Sequence, residues 1–131
     1  MCVDYLDAYE RHWEDAEVLF REGRWGNAEH LYGLSVECGI KAILKRTRGS
    51  VPHKHLPDLA QSFKRFEFIY EGRRIVYELP NKVRTNFHDW DISQRYHHRE
   101  VFSEASATDR QRGARAMRGF IKRLQKEGWL R

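Results

Sequence analysis

Cysteine, proline and long apolar runs are all scarce in this sequence. Two cysteines in 131 residues make no disulfide framework, and neither sits in the Cys-x-x-Cys or Cys/His spacing of a redox or zinc site. Cys38 falls in a helical pattern and reads as a small buried residue. Three prolines argue against a disordered, proline-rich chain. No apolar stretch approaches the roughly 20 residues that cross a bilayer as a helix, so no membrane partner is expected. The opening Met1-Cys2-Val3-Asp4-Tyr5-Leu6-Asp7 is acidic and has neither the basic nor the apolar region of a secretory leader. A cytoplasmic location is the expectation. There is no internal repeat and no low-complexity segment.

What is present suits a globular chain. Hydrophobic residues make up 40% and charged residues 33%, and this length suggests one domain over residues 1–131 with a core of its own. The net charge of +5 is unevenly spread. Residues 1–37 carry nine acids and three bases, whereas residues 95–131 carry four acids and ten bases. A basic C-terminal part beside an acidic N-terminal one can attract and orient a phosphate ligand. The same asymmetry also allows the acidic helix to neutralise basic neighbours, within the chain or across a dimer.

Hydrophobic spacing predicts an all-α chain, an up-and-down bundle of four to five helices. Leu6, Tyr9, Trp13, Ala16 and Phe20 share one face of a helix over 4–22, which Gly23 ends. A second helix over 25–46 carries a stripe of mostly small residues, Ala28, Leu31, Ser35, Cys38 and Ala42. The short Gly23-Arg24 break makes the two an antiparallel hairpin. Residues 48–55 read as a loop. Pro57 opens a third helix carrying Leu56, Leu59, Phe63 and Phe66, and Gly72 breaks it. Ile75, Val76, Leu79, Val83 and Phe87 fit a helical face over 73–90, kinked or divided at Pro80; a short strand at Val76-Tyr77 is the less favoured reading. Residues 91–106 read as a loop. A basic final helix over 107–126 takes Thr108 as its N-cap and buries Ala114, Met117, Ile121 and Leu124.

The polar chemistry is densest from Arg84 to Arg99. If residues 84–88 are helical, Arg84 and His88 lie on one face. The arginine would hold a phosphate oxygen and the histidine would move a proton, which is a metal-free scheme for phosphodiester cleavage. The plainer alternative pairs Arg84 with Asp89 or Asp91 and uses His88 to cap a helix end. His53-x-His55 and His97-His98 lack the partners of a metal site, so neither a metal nor another cofactor is expected. Glu37 and Lys41 are an i,i+4 pair beside the apolar stripe, where a carboxylate is costly unless paired. Among the aromatics, Trp13 reads as core, and Trp90 and Tyr96 are the better base-stacking candidates because polar groups surround them.

Three stretches, in order, resemble a HEPN domain (higher eukaryotes and prokaryotes nucleotide-binding). The first is the opening pair, from Ala16-Glu17-Val18-Leu19-Phe20 to Trp25-Gly26-Asn27-Ala28-Glu29-His30-Leu31. The second is Ser35-Val36-Glu37-Cys38-Gly39-Ile40-Lys41-Ala42, similar to the family's Glu-x-x-x-Lys-Ala stretch, followed by His55-Leu56-Pro57-Asp58-Leu59. The third is Trp90-Asp91-Ile92-Ser93-Gln94-Arg95-Tyr96, similar to the family's Arg-Tyr turn before the last helix. The resemblance implies a helical bundle, often a homodimer, that binds a nucleotide or RNA. Many members are metal-independent RNases of toxin–antitoxin or phage-defence systems, and others partner nucleotidyltransferases. The family's nuclease motif is Arg, four to six residues, then His. Arg84 to His88 leaves three, and Arg84 to His97 leaves twelve.

The leading expectation is therefore a nucleotide- or RNA-binding module of a toxin–antitoxin or defence system. Glu37, Lys41, Asn86, Asp89, Trp90, Arg95, Tyr96 and Arg99 are its expected binding residues. One alternative is a toxin-like endoribonuclease using Arg84 with His88 or His97. Another is a non-catalytic protein that dimerises or covers a nucleotidyltransferase or antitoxin partner.

Overall fold

The computed structural model describes residues 2–131; Met1 lies outside the described residues. Five α-helices and an antiparallel pair of strands are present among them, so the all-α expectation is corrected to a mostly helical fold with a β-hairpin. The helices are α1 (Tyr5–Arg21), α2 (Trp25–Arg48), α3 (Asp58–Ser62), α4 (Asn81–Thr85) and α5 (Glu104–Lys126). The strands are β1 (Arg65–Tyr70) and β2 (Arg73–Glu78). Two short 3-10 helices, Ile92–Tyr96 and Arg99–Val101, precede α5.

The first two helices form the hairpin that the spacing predicts. Asp4 caps α1 by accepting the Asp7 N–H at 2.9 Å. Gly23, with φ of +73°, supplies the left-handed residue at the other end. There the Arg24 N–H donates to the Leu19 carbonyl and the Gly23 N–H to that of Phe20, the paired closure that ends many helices. The chain then reverses. Phe20 meets Trp25, Trp13 meets Tyr32, and Ser35 Oγ donates to the Tyr9 carbonyl at 2.8 Å, contacts that run in opposite order along the two helices. The buried side of α2 is wider than a small-residue stripe. It includes Tyr32, Val36, Ile40, Ile43 and Leu44, while Leu31, Cys38 and Ala42 are only partly buried. Burial pushes the Cys38 thiol up to about 11, which removes the thiolate a reactive cysteine needs.

Residues 63–78 depart most from expectation. The third helix stops at Ser62 instead of continuing through Phe66, and the helix expected from 73 begins only at Asn81. Between them, Phe66 and Phe68 alternate inward from β1, the period of a half-buried strand. Glu71 and Gly72 form the two-residue turn, with φ of 49° and 76°; a tight hairpin turn of this kind needs positive φ at both positions. Phe66 packs on Phe120 of α5, and Phe68 packs on Trp129 beyond it. Pro80 separates β2 from α4 and does not kink a longer helix. The last helix starts earlier than expected: Ser103, not Thr108, is its N-cap and accepts the Ser106 N–H at 3.1 Å.

Trp90 locks the segment after α4 onto α2. Its indole is fully buried and its Nε1 donates to the Glu29 carbonyl at 3.1 Å. The ring lies flat against the helix because residue 33 is glycine; a Cβ there would come within 2.1 Å of Trp90 Cε2. Gly33→Ala therefore has to expel the indole. Its gain in helix propensity of about 1 kcal/mol is outweighed by overpacking and a lost buried hydrogen bond, for a net loss of about 1–3 kcal/mol, read as a lower urea midpoint. A stability equal to or above that of the parent protein would contradict this packing.

Candidate anion-binding cleft

The residues expected to act together from 84 to 99 are divided between two places. Arg95, His97 and Arg99 line a cleft of about 570 Å³ against the start of α2. Asn86, His88 and Asp89 line a smaller one of about 170 Å³ against the start of α5.

In the larger cleft, one wall is the α1–α2 turn and the first turn of α2, residues 23–27. The first amides of a helix have no carbonyl partners within it. Here Arg24 stands at the N-cap and no side chain accepts from them. The amides of Trp25, Gly26 and Asn27 therefore stay open at the positive end of a helix of 24 residues. The opposite wall is formed by the 3-10 turn and the residues just after it: Gln94, Arg95, His97, His98 and Arg99. Phe102 closes the cleft by packing on Gly26, whose missing Cβ would come within 2.7 Å of the ring.

Local sequence shapes the turn that carries these groups. Asp91 accepts the Ser93 N–H at 2.7 Å, and Gln94 Oε1 accepts the Asp91 N–H at 3.0 Å. The Ser93 hydrogen bonds hold the Asp91 carboxyl below the usual carboxylate range. Gln94 is 7% exposed, and its Nε2 has no acceptor. The Arg95 guanidinium lies over the Tyr96 ring at 4.8 Å, and Tyr96 is 76% exposed. His98 accepts the Glu100 N–H through Nδ1 at 3.2 Å, which leaves its other ring nitrogen to carry a proton. The His97 ring stacks on Phe102.

The smaller cleft surrounds a committed ion pair. Glu29 of α2 is 2% exposed and Arg110 of α5 7%. Arg110 Nε donates to Glu29 Oε1 at 3.1 Å, and its Nη1 donates at 2.7 Å to both the Asn86 carbonyl and Asp89 Oδ1. Ser106 Oγ donates to Glu29 Oε2 at 2.6 Å. Burial raises the Asp89 pKa, but the Arg110 hydrogen bond and charge, with His88, outweigh it and bring it below the ordinary value.

The pair expected to cleave RNA is not assembled for that task. Arg84 lines neither cleft; its Nη2 donates to Asn81 Oδ1, and its buried Nε has no partner. His88 is exposed, and its Nδ1 bonds the Thr85 carbonyl at 2.7 Å, next to the end of α4. Trp90 is corrected from stacking platform to core residue. His30 stacks on its ring, at 14° between planes, and has a lowered pKa through burial and then the charge of Arg95. Trp13 packs against the core while staying partly exposed. Glu37 and Lys41 line neither cleft. Glu37 is 3% exposed and accepts from His55 Nδ1 at 3.0 Å and the Leu56 N–H at 3.0 Å, with Lys41 Nζ at 3.7 Å. His55 is thus bound and not simply solvated, and the group ties loop 49–57 to α2.

Sequence reasoning missed Arg24, Gln94, His98 and the α2 N-terminus. One signal was available: Gly23-Arg24-Trp25 offers no Ser, Thr, Asp or Asn to cap a long helix. It also missed Arg110, although its spacing from Ala107, Ala114 and Met117 places it on the apolar side of α5.

No group of three or more metal-ligating side chains is assembled among the described residues, and no helix there is long and apolar enough to cross a membrane. Comparison with protein-family models, curated proteins and solved structures finds no match to this chain.

Arg110→Met leaves Glu29 buried without its cation and is expected to cost about 3–5 kcal/mol, measured by urea unfolding; adding Glu29→Leu should restore part of it. Asp89 makes the acid side of the stability profile testable. Its folded pKa lies below the ordinary 3.8. Its contribution is therefore full above that value and is lost as pH falls through the lower folded one. Asp89→Asn should flatten stability over that acid interval, and an unchanged slope would separate Asp89 from Arg110.

Proposed function

We propose that this chain binds a nucleotide or RNA through its phosphate, in the cleft between the start of α2 and residues 94–99. One observation carries the reading. Three arginines, Arg24, Arg95 and Arg99, share a cavity with the open first turn of a long helix, and no carboxylate is among its lining residues. Guanidinium forks and helix N-terminal amides are the two protein groups best matched to phosphate oxygens. The cavity lies within the ~300–1,000 Å³ typical of small-ligand sites. Tyr96 stands exposed beside Arg95, where a base could stack. The motif order similar to HEPN domains supports the same reading, because its Arg-Tyr turn is the segment that faces the cleft. In such a system the protein would act with an antitoxin, a nucleotidyltransferase or a second copy of itself.

The reading favours binding over cleavage, since Arg84 and His88 are each held by local partners. Titrating the protein with AMP, ATP and a short 5′-phosphorylated RNA by calorimetry tests it. Binding should weaken as salt rises. Arg95→Ala and Arg99→Ala should each weaken it roughly tenfold, the effect of losing one charge-assisted hydrogen bond. Binding unchanged in the double variant would place the site elsewhere.

A further inference from the structure

We infer that the cleft selects a terminal phosphomonoester, on a mononucleotide or at the end of an RNA, over a phosphodiester within a chain. The inference rests on the proposal that the cleft holds phosphate, and charge and oxygen count carry it further. A diester brings one negative charge and two unesterified oxygens. A monoester near neutral pH brings approximately 1.5 to 2 charges and three free oxygens.

The cleft supplies more than a diester can use. Arg24, Arg95 and Arg99 bring three permanent positive charges. The open amides of Trp25, Gly26 and Asn27 add the partial positive charge of the helix end. The acids beside these walls do not cancel that charge. Glu22 is 3.9 Å from Arg24, Glu100 is 4.0 Å from His98, and the Asp91 carboxylate is engaged by the Ser93 N–H at the start of the 3-10 turn. All three acids are exposed and line no part of the cavity, so water screens them.

Donor placement points the same way. The helix amides and Arg24 stand on one wall, and Arg95 and Arg99 stand on the other. A group with three free oxygens can satisfy both walls and still leave its single ester bond leading outward. A diester must run chain from two ester oxygens and has only two left to accept. Gln94 lies in the second wall and is more than nine-tenths buried, and its Nε2 lacks an acceptor. A buried donor left open in this way is uncommon; it presents no surface for direct contact, but it adds an uncompensated N–H dipole to the second wall.

Two matched pairs of ligands test the inference on the full chain: AMP against 3′,5′-cyclic AMP, and a six-nucleotide RNA with a 5′-phosphate against the same RNA with a 5′-hydroxyl. The monoester member of each pair should bind about tenfold or more tightly. That preference should collapse in Arg24→Gln/Arg99→Gln, with thermal unfolding checked to show that the variant is folded. Equal affinity within both pairs, or tighter binding of the diester member, overturns the inference and leaves the phosphate-binding proposal standing. No binding of any of the four ligands overturns both. A preference that persists in the folded double variant overturns the assignment to these arginines.

Discussion

Glu29 and Arg110 meet in the interior, where neither charge is tolerable alone. A buried carboxylate and guanidinium each forgo several kcal/mol of hydration and are held there only when paired and hydrogen-bonded. Arg110 answers that demand with three acceptors from two separate segments, Glu29 on α2 and Asn86 with Asp89 on the stretch after α4. Ser106 completes the Glu29 carboxylate. The backbone carbonyl of the same Glu29 takes the Trp90 indole N–H. One residue of α2 is thus tied to α5 and to residues 86–90 at once. The chain beyond residue 90 starts from a fixed point on α2.

That fixed point is what makes the cleft. The 3-10 turn of Ile92–Tyr96 makes its hydrogen bonds locally, and most of its side chains are exposed. With Trp90 anchored, the turn lies across from the start of α2, and Arg95 and Arg99 stand opposite its open amides. On the other side, the Gly23 turn ends α1 so abruptly that the first turn of α2 is left bare of any capping side chain. Positive groups are gathered where the backbone itself is positive. Further positive charge lies on the outer face of α5, where Arg112, Arg115 and Lys122 are exposed.

The first and last helices were legible because their apolar residues recur over several turns. Tyr9, Ala16, Ile121 and Leu124 are buried as periodicity predicts. The hairpin was not, because Phe63 and Phe66 are three apart and Ile75, Val76 and Leu79 also suit a helix. Phe68, two residues beyond Phe66, broke that pattern and signalled the strand. Trp90 misled for a related reason. Its sequence neighbours are polar, but its packing partner is Gly33, 57 residues away, whose lack of a side chain is invisible as a pocket until the two meet.

By itself, then, the sequence determined the amphipathic faces of α1 and α5, the presence of α2 and the reversal at Gly23, and that residues 84–99 would be rich in groups able to hold phosphate. Those features are local: they depend on spacing within a few turns and on the chemistry of single side chains. Only the tertiary structure decided that Arg95, His97 and Arg99 would face the start of α2, while Arg84 and His88 turned to neighbours of their own. That choice is made by contacts between residues far apart in the chain, Glu29 with Arg110 and Gly33 with Trp90. The need to pair a buried charge, together with the burial of an indole, outweighs the preferences of the polar segment they position.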